Sequence, residues 1–262
     1  DRLRDILAVH PTIRPGDLVL EILETSALED LLRVSQVIQD CQNLGIAFAL
    51  DDFGTGYSSL TYLKRLSVNQ LKIDQSFVRD MLDDPDDLTI LEGVIGLATA
   101  FRREVIAEGV ETIEHGAMLL QLGCELAQGY GIARPMPASD LPAWATAWQP
   151  DVAWRDLNPV SRADLPLLFA SVEHRAWIVA MKAHLRDDHN APPPHDLHQC
   201  RFGAWLDSEG EARYSARPEF LAIRQIHAQA HALAEELCAL RDRSGNAAAV
   251  ARVCELREAR DA

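Results

Sequence analysis

Gly45-Ile46-Ala47-Phe48-Ala49-Leu50-Asp51-Asp52-Phe53-Gly54-Thr55-Gly56-Tyr57-Ser58-Ser59-Leu60 is the stretch around which this chain is organised. Ile46 to Leu50 is an unbroken apolar run of the length of a buried strand. Two aspartates end it, a loop with two glycines follows, and Ser58 and Ser59 are placed to cap a helix beginning at Leu60. Adjacent side chains of a regular strand point to opposite faces. Asp51 and Asp52 therefore serve one site only where strand gives way to loop, which is where they stand. Two neighbouring carboxylates repel each other unless a cation lies between them, and their hard oxygen ligands suit magnesium or manganese. The other reading of the pair is a solvated Asp-Asp turn that caps the helix.

Working outward, polar residues recur in the same position. Leu18–Leu23 reads as a buried strand carrying Glu21, and helical periodicity follows from about Leu28 to Leu44. A helix over Ser59–Arg65 precedes a short strand, Gln70–Ile73, which holds Lys72. Asp86–Phe101 reads as a helix, Glu104–Ala107 as a strand ending in Glu108-Gly109, Ile113–Leu122 as a helix, and Leu126–Tyr130 as a last strand-like piece carrying Gln128. Strand–helix alternation at near-regular spacing calls for a parallel sheet. A doubly wound sheet lacks its usual Gly-x-Gly-x-x-Gly turn here, so a TIM-like barrel is the better fit. In that fold functional residues gather at the C-terminal ends of several strands. Glu21, Asp51, Asp52, Lys72, Glu108 and Gln128 are expected to converge on one mouth.

Composition narrows the chemistry. Residues 1–150 hold 23 acids against 11 bases, and residues 151–262 hold 17 against 14. This acidity disfavours DNA or RNA polymers as partners. It also makes a phosphate substrate depend on metal cations. Cys41, Cys124, Cys200, Cys238 and Cys254 have no disulfide-framework spacing, and no run of about 18 apolar residues suggests a membrane segment. A cytoplasmic location is expected.

Five of these stretches carry a family resemblance. Leu20-Glu21-Ile22-Leu23-Glu24-Thr25, Asp51-Asp52-Phe53-Gly54-Thr55-Gly56, Leu71-Lys72-Ile73-Asp74, Ala107-Glu108-Gly109-Val110-Glu111-Thr112 and Gln128-Gly129-Tyr130 resemble, in order, the motifs of EAL-type cyclic di-GMP phosphodiesterases. The resemblance implies hydrolysis of cyclic di-GMP to linear pGpG with two divalent cations, magnesium or manganese. It implies Glu21, Asp51 and Asp52 as metal ligands, Glu108 as ligand or base, and Lys72 as holder of the catalytic water or a phosphate oxygen. Gln128 completes the pocket, and Glu24 anchors the loop Phe53–Gly56. The family's Glu-Ala-Leu motif, an arginine and an asparagine ligand would lie upstream of Glu21. The expectation is therefore that the full-length protein is active and that this chain alone is inactive or barely active. A homodimer is also expected.

Residues 165–262 read differently. Residues 138–165 are punctuated by prolines and contain Trp144, Trp148 and Trp154, consistent with a last helix on the barrel and a short connector. Beyond them only helices are expected: Leu165–Leu185, one beginning near Cys200, Glu219–Asp242 and Ala247–Arg260, with a Pro- and His-rich loop over 187–199. This pattern reads as a small all-α bundle. His227 and His231, four apart, share one helix face; taken alone, such a pair is more often incidental. With His174 and Cys200 they make a three-His, one-Cys set that suits zinc. His174-Arg175-Ala176-Trp177, Cys200-Arg201-Phe202-Gly203-Ala204-Trp205-Leu206 and His227-Ala228-Gln229-Ala230-His231 resemble the chemoreceptor zinc-binding (CZB) domain, which implies one bound zinc ion and a regulatory role. His184, His189, His195, His198, Cys41, Cys124, Cys238 and Cys254 fall outside that motif and are expected in solvent or core. The expected layout is a barrel segment over 1–140, a connector over 141–164 and the zinc bundle over 165–262. Two alternatives to a zinc-regulated phosphodiesterase are a catalytically inactive cyclic di-GMP binder and a zinc-responsive interaction module.

Overall fold

A computed structural model describes residues 2–55, 60–186, 192–194 and 196–261. The chain divides into two compact units. The first comprises residues 1–81 and 86–159, and the second residues 160–262 together with 82–85.

The first unit is built on five parallel strands, β1 (Val19–Leu23), β2 (Ala47–Phe53), β3 (Gln70–Ile73), β4 (Glu104–Glu108) and β5 (Leu126–Gln128), in the sheet order β1-β2-β3-β4-β5. The helices are α1 (Arg2–Val9), α2 (Glu24–Glu29), α3 (Leu31–Gln42), α4 (Leu60–Arg65), α5 (Gln75–Asp80), α6 (Pro85–Ala100), α7 (Ile113–Leu122) and α8 (Leu141–Ala147). Among the described residues strand order follows chain order without reversing, so they show no switch point of the doubly wound kind. Successive right-handed crossovers then place the helices on one side, as in a segment of a TIM-like barrel.

Burial explains the composition of the strands. Phe48, Ala49 and Leu50 of β2 and Leu71 and Ile73 of β3 are buried. A strand covered on both faces reads as a continuous apolar run, and each fully buried Leu or Ile contributes about 1.5–3 kcal/mol. The reading of β1 as a buried strand is corrected. Val19, Glu21 and Leu23 are exposed while Leu20 and Ile22 are half-buried. Among the described residues β1 pairs only with β2, which leaves its other edge without a partner strand in this chain. The periodicity read as one helix over 28–44 is split by Asp30, which leaves helical geometry and accepts a hydrogen bond from Arg33 N–H. The capping assigned to Ser58 and Ser59 lies outside the described residues.

The second unit consists of α9 (Leu165–Arg186), α10 (Arg201–Leu206), α11 (Glu209–Tyr214), α12 (Pro218–Ser244), α13 (Asn246–Ala251) and α14 (Val253–Asp261). Ile178, Met181 and Leu185 of α9 pack with Ala234 and Leu237 of α12, Ala249 of α13, and Val253 and Leu256 of α14. A second apolar cluster joins Ala170, Phe202, Trp205, Leu206 and Phe220. Among the described residues no helix is long and apolar enough to cross a membrane.

Candidate functional sites

The strand register brings the polar residues to one face. Glu21 pairs with Ala49, Leu23 with Asp51, Lys72 with Ile106 and Glu108 with Gln128. Residues in register on neighbouring strands point the same way, as do residues two apart. Glu21, Asp51, Lys72, Glu108 and Gln128 therefore share a face, toward the C-terminal ends of their strands. Asp52, one residue beyond Asp51, would point away in a regular strand. It does not, because its φ of 54° lies in the left-handed region, which Asp tolerates better than most residues. The β2–β3 register shifts at the same place, between Leu50 and Phe53. This irregularity lets Asp51, Asp52 and Glu108 each bring an oxygen within 4.8 Å of the others.

Lys72 is the hub. Its buried ammonium lies 2.9 Å from Glu21 Oε1, 2.8 Å from Asp51 Oδ1 and 2.5 Å from Glu108 Oε1. Burial alone would lower its pKa, but hydrogen bonds to Asp51, Glu108 and Glu21 outweigh that and hold it well above the ordinary lysine value. Burial raises the Glu108 carboxyl despite the neighbouring Lys72. Asp52 is raised too, first by burial and then by the negative charges of Asp51 and Asp74. One ammonium among several carboxylates leaves net negative charge. This donor set, all hard oxygens, fits a divalent cation.

The surrounding groups hold this arrangement. Gln128 Nε2 donates to Glu108 Oε1 at 2.8 Å. The buried Glu24 accepts from Gly54 N–H at 3.0 Å and so ties α2 to the loop after β2. Asp74 ends the Leu71-Lys72-Ile73-Asp74 motif. It caps α5 through Ser76 N–H at 2.9 Å, and its charge bears on Asp52. A cleft of about 600 Å³ beside Glu108 and Gln128 is also lined by Gln75, Tyr130, Arg134 and Trp144, with the Arg134 guanidinium 4.9 Å from the Tyr130 ring centre. Tyr130 and Trp144 stand out in the sequence by motif and composition, whereas a single glutamine such as Gln75 carries no periodic signal.

Gly129 fixes how β4 and β5 end. Val110 N–H donates to Gln128 O, and Gly131 N–H to Val110 O. A Cβ at position 129 would fall 2.2 Å from Val110 O and 2.3 Å from Val110 N, both backbone atoms that cannot rotate away. Gly129→Ala is expected to destabilise the protein by about 1–3 kcal/mol, the usual range for overpacking, and to displace Gln128 from Glu108. Thermal unfolding and turnover of the variant measure the two effects; unchanged values in both would show that the strand ends yield without consequence.

The second unit carries a different cluster. Donor atoms of His174, Cys200, His227 and His231 all lie within 4.8 Å of one another. Each ligand is delivered by local structure. His174 on α9 points Nδ1 at Ala170 O, 2.7 Å away, which leaves Nε2 for the cluster. The four-residue spacing on α12 puts His227 and His231 on one buried face. Cys200 caps α10: its sulfur accepts from Gly203 N–H at 3.1 Å and lies 3.2 Å from His227 Nε2. Gly203 is required at its position, because a Cβ there would fall 1.7 Å from Leu197 O. Burial, then the neighbouring His174 and His231, pushes the His227 imidazolium down to about 3, so the ring is neutral and able to ligate. Its buried Nδ1 has no hydrogen-bond partner among the described residues. Three imidazoles and one thiol at these separations fit zinc.

The residues set aside in the sequence fall elsewhere. His184 is buried, and its carbonyl accepts from Arg241. His198 is paired with Asp207. Cys124 is buried, Cys41 and Cys238 are half-buried and Cys254 is exposed. His189 and His195 lie outside the described residues.

Both parts of the chain resemble known proteins. The bifunctional diguanylate cyclase/cyclic di-GMP phosphodiesterase MucR of Pseudomonas aeruginosa is 39% identical over 141 residues, which is 54% of this chain and 20% of MucR. The cyclic di-GMP phosphodiesterase NbdA of the same organism is 38% identical over 143 residues, 54% of this chain and 18% of NbdA. The chain thus spans about a fifth of the length of these curated relatives. A solved MucR phosphodiesterase in complex with c-di-GMP superposes with a TM-score of 0.51 at 39% identity, covering 53% of this chain and 56% of that one. Residues 174–238 match the chemoreceptor zinc-binding domain. Residues 1–135, more than half of the chain, match the EAL domain, and the chain belongs to that family.

Proposed function

We propose that the protein hydrolyses cyclic di-GMP to linear pGpG and that a zinc-binding bundle regulates it. The observation that carries the first part is the convergence of Asp51, Asp52 and Glu108 around the buried Lys72 ammonium. Glu21, Asp51, Asp52 and Glu108 would hold two divalent cations, magnesium or manganese. Such ions, when bound, neutralise the phosphodiester and make water a competent nucleophile near neutral pH. The chain's own groups do the rest. Glu108, raised by burial and held by Gln128, accepts the proton of the attacking water. Lys72 supplies fixed positive charge where negative charge develops on the phosphate oxygens. Glu24 keeps the loop after Asp52 in place.

In the second unit, His174, Cys200, His227 and His231 would hold one zinc ion. Since these ligands come from α9, the start of α10, and α12, occupancy fixes three separate segments relative to one another. A second copy of the chain is the expected partner in a homodimer. The test is turnover of cyclic di-GMP by the whole protein with magnesium or manganese, with pGpG identified by chromatography, before and after chelation. Hydrolysis that persists without divalent metal would overturn the reading, as would the absence of any pGpG with metal present.

A further inference from the structure

Helix α10 is six residues long and carries two very different attachments. Its N-cap is Cys200, the only thiol in the four-donor cluster. Its other end carries Trp205, 4% exposed, whose indole N–H donates to Ala163 O at 2.8 Å. Between them, Phe202 stacks on Trp205 with ring centres 5.9 Å apart and planes 12° from parallel. The same Phe202 ring meets His174 and His227 edge-on at 5.9 and 5.2 Å. A rigid aromatic path thus runs from two candidate zinc ligands to the backbone at residue 163.

That backbone is held a second time. Asp164 accepts from Arg213 Nη1 at 2.5 Å and Nη2 at 3.0 Å, from Tyr214 Oη at 3.0 Å and from Ser161 Oγ at 2.7 Å. Arg213 and Tyr214 end α11, which follows α10. The segment that enters the second unit is therefore fastened to α10 and α11 and not only to α9, which it precedes. On the other side of the connector the first unit has a matching clasp. Trp154 Nε1–H donates to Ile113 O at 2.8 Å, and its ring lies where a Cβ on Gly116 would be, 2.6 Å away. Ile113 opens α7, five residues after Glu108. Eight residues, 155–162, with Pro159 among them, run between the two tryptophan anchors.

We propose that α10 is a lever: the state of the Cys200 end sets the position of Trp205, and the Trp205–Ala163 and Asp164–Arg213/Tyr214 clasps pass it to the connector. Trp205, Asp164 and Trp154 are positioning residues, none of them a ligand or a catalytic group. The proposal rests on zinc binding by His174, Cys200, His227 and His231.

The test has two readouts on the whole protein. The first is amide hydrogen exchange with and without a zinc chelator. In the wild type, chelation should raise exchange over residues 161–165 by about ten-fold or more, as a local unit opens. In Trp205→Phe, which keeps an aromatic ring against Phe202 and loses the N–H, exchange there should already be high with zinc bound and should change little on chelation. Asp164→Ala should behave likewise, with zinc affinity near that of the wild type in both variants. The second readout is cyclic di-GMP turnover against buffered free zinc. The wild-type response, about 5–150-fold if it is of usual allosteric size, should be lost in both variants and in Trp154→Phe. Exchange at 161–165 that ignores zinc in the wild type overturns the lever. So does a variant that keeps the full zinc response in exchange and turnover. Exchange that follows zinc while wild-type turnover stays flat leaves the lever standing and overturns the regulatory reading instead.

Discussion

Glu108→Gln should lower kcat for cyclic di-GMP by about 10²–10⁴-fold, the range expected when a positioned general base is lost. The substitution keeps the shape of the side chain and removes its charge. Three local consequences follow. Lys72 loses the carboxylate at 2.5 Å and retains Asp51 and Glu21. Gln128 Nε2 now faces an amide that can still accept through its oxygen, so the β4–β5 end is kept. The cluster loses one hard anionic oxygen, which weakens the hold on a divalent cation. Raising the magnesium concentration should therefore recover part of the loss but not all of it, since ligation is restored by mass action and proton acceptance is not. Turnover measured across a magnesium series, beside a thermal melt that shows the variant folded, separates the two effects. A variant within ten-fold of the wild type at every magnesium concentration would remove Glu108 from the reaction.

The fold was legible wherever a period or a run was long enough to register. Ile46–Leu50 marked β2 because a strand buried on both faces must be apolar throughout. The long helices α9 and α12 were legible from periodicity, and so was the shorter α7. Helix α5 was not, since six residues complete fewer than two turns. The strand-end polar residues were legible for the same reason that makes the sheet work: an acid or lysine inside an apolar run is costly unless it is paired. The manner of their pairing was not legible. No local signal places the Lys72 ammonium against three carboxylates on three strands, or gives Asp52 its positive φ. The tryptophan anchors were invisible in the same sense. Trp154 and Ile113 are 41 residues apart in the chain, and Trp205 and Ala163 are 42. Only tertiary packing brings them together. In the cluster of His174, Cys200, His227 and His231 the motif named the four donors that the structure brings together, while the reason for the glycine in Cys200-Arg201-Phe202-Gly203 emerged from the approach of Leu197 O.

Cys200→Ala should weaken zinc binding by well over 100-fold, whereas Cys238→Ala should leave it within a few-fold of the wild type. Loss of an outer-shell partner of a metal ligand typically costs about 10–100-fold, and Cys200 is itself a candidate ligand. Removing it takes away the softest donor and the one full negative charge of the set. Burial raises the Cys200 thiol, but Gly203 N–H donates to the sulfur and opposes the rise, and a bound cation would complete deprotonation. Alanine also removes the cap of α10, at a cost of about 1 kcal/mol of helix stability. Cys200→Ser separates the two roles, because a hydroxyl caps a helix well and ligates zinc poorly. Serine should therefore restore the thermal stability of the metal-free protein without restoring zinc affinity. Cys238 is the appropriate control. It is half-buried, its sulfur sits 3.8 Å from Met181 Sδ in the core of α9 and α12, and it lies outside the four-donor cluster. Competition with a chromophoric chelator reads the affinities. Equal zinc affinity in the Cys200 and Cys238 variants would mean that the three histidines bind zinc by themselves and that Cys200 serves only to start α10.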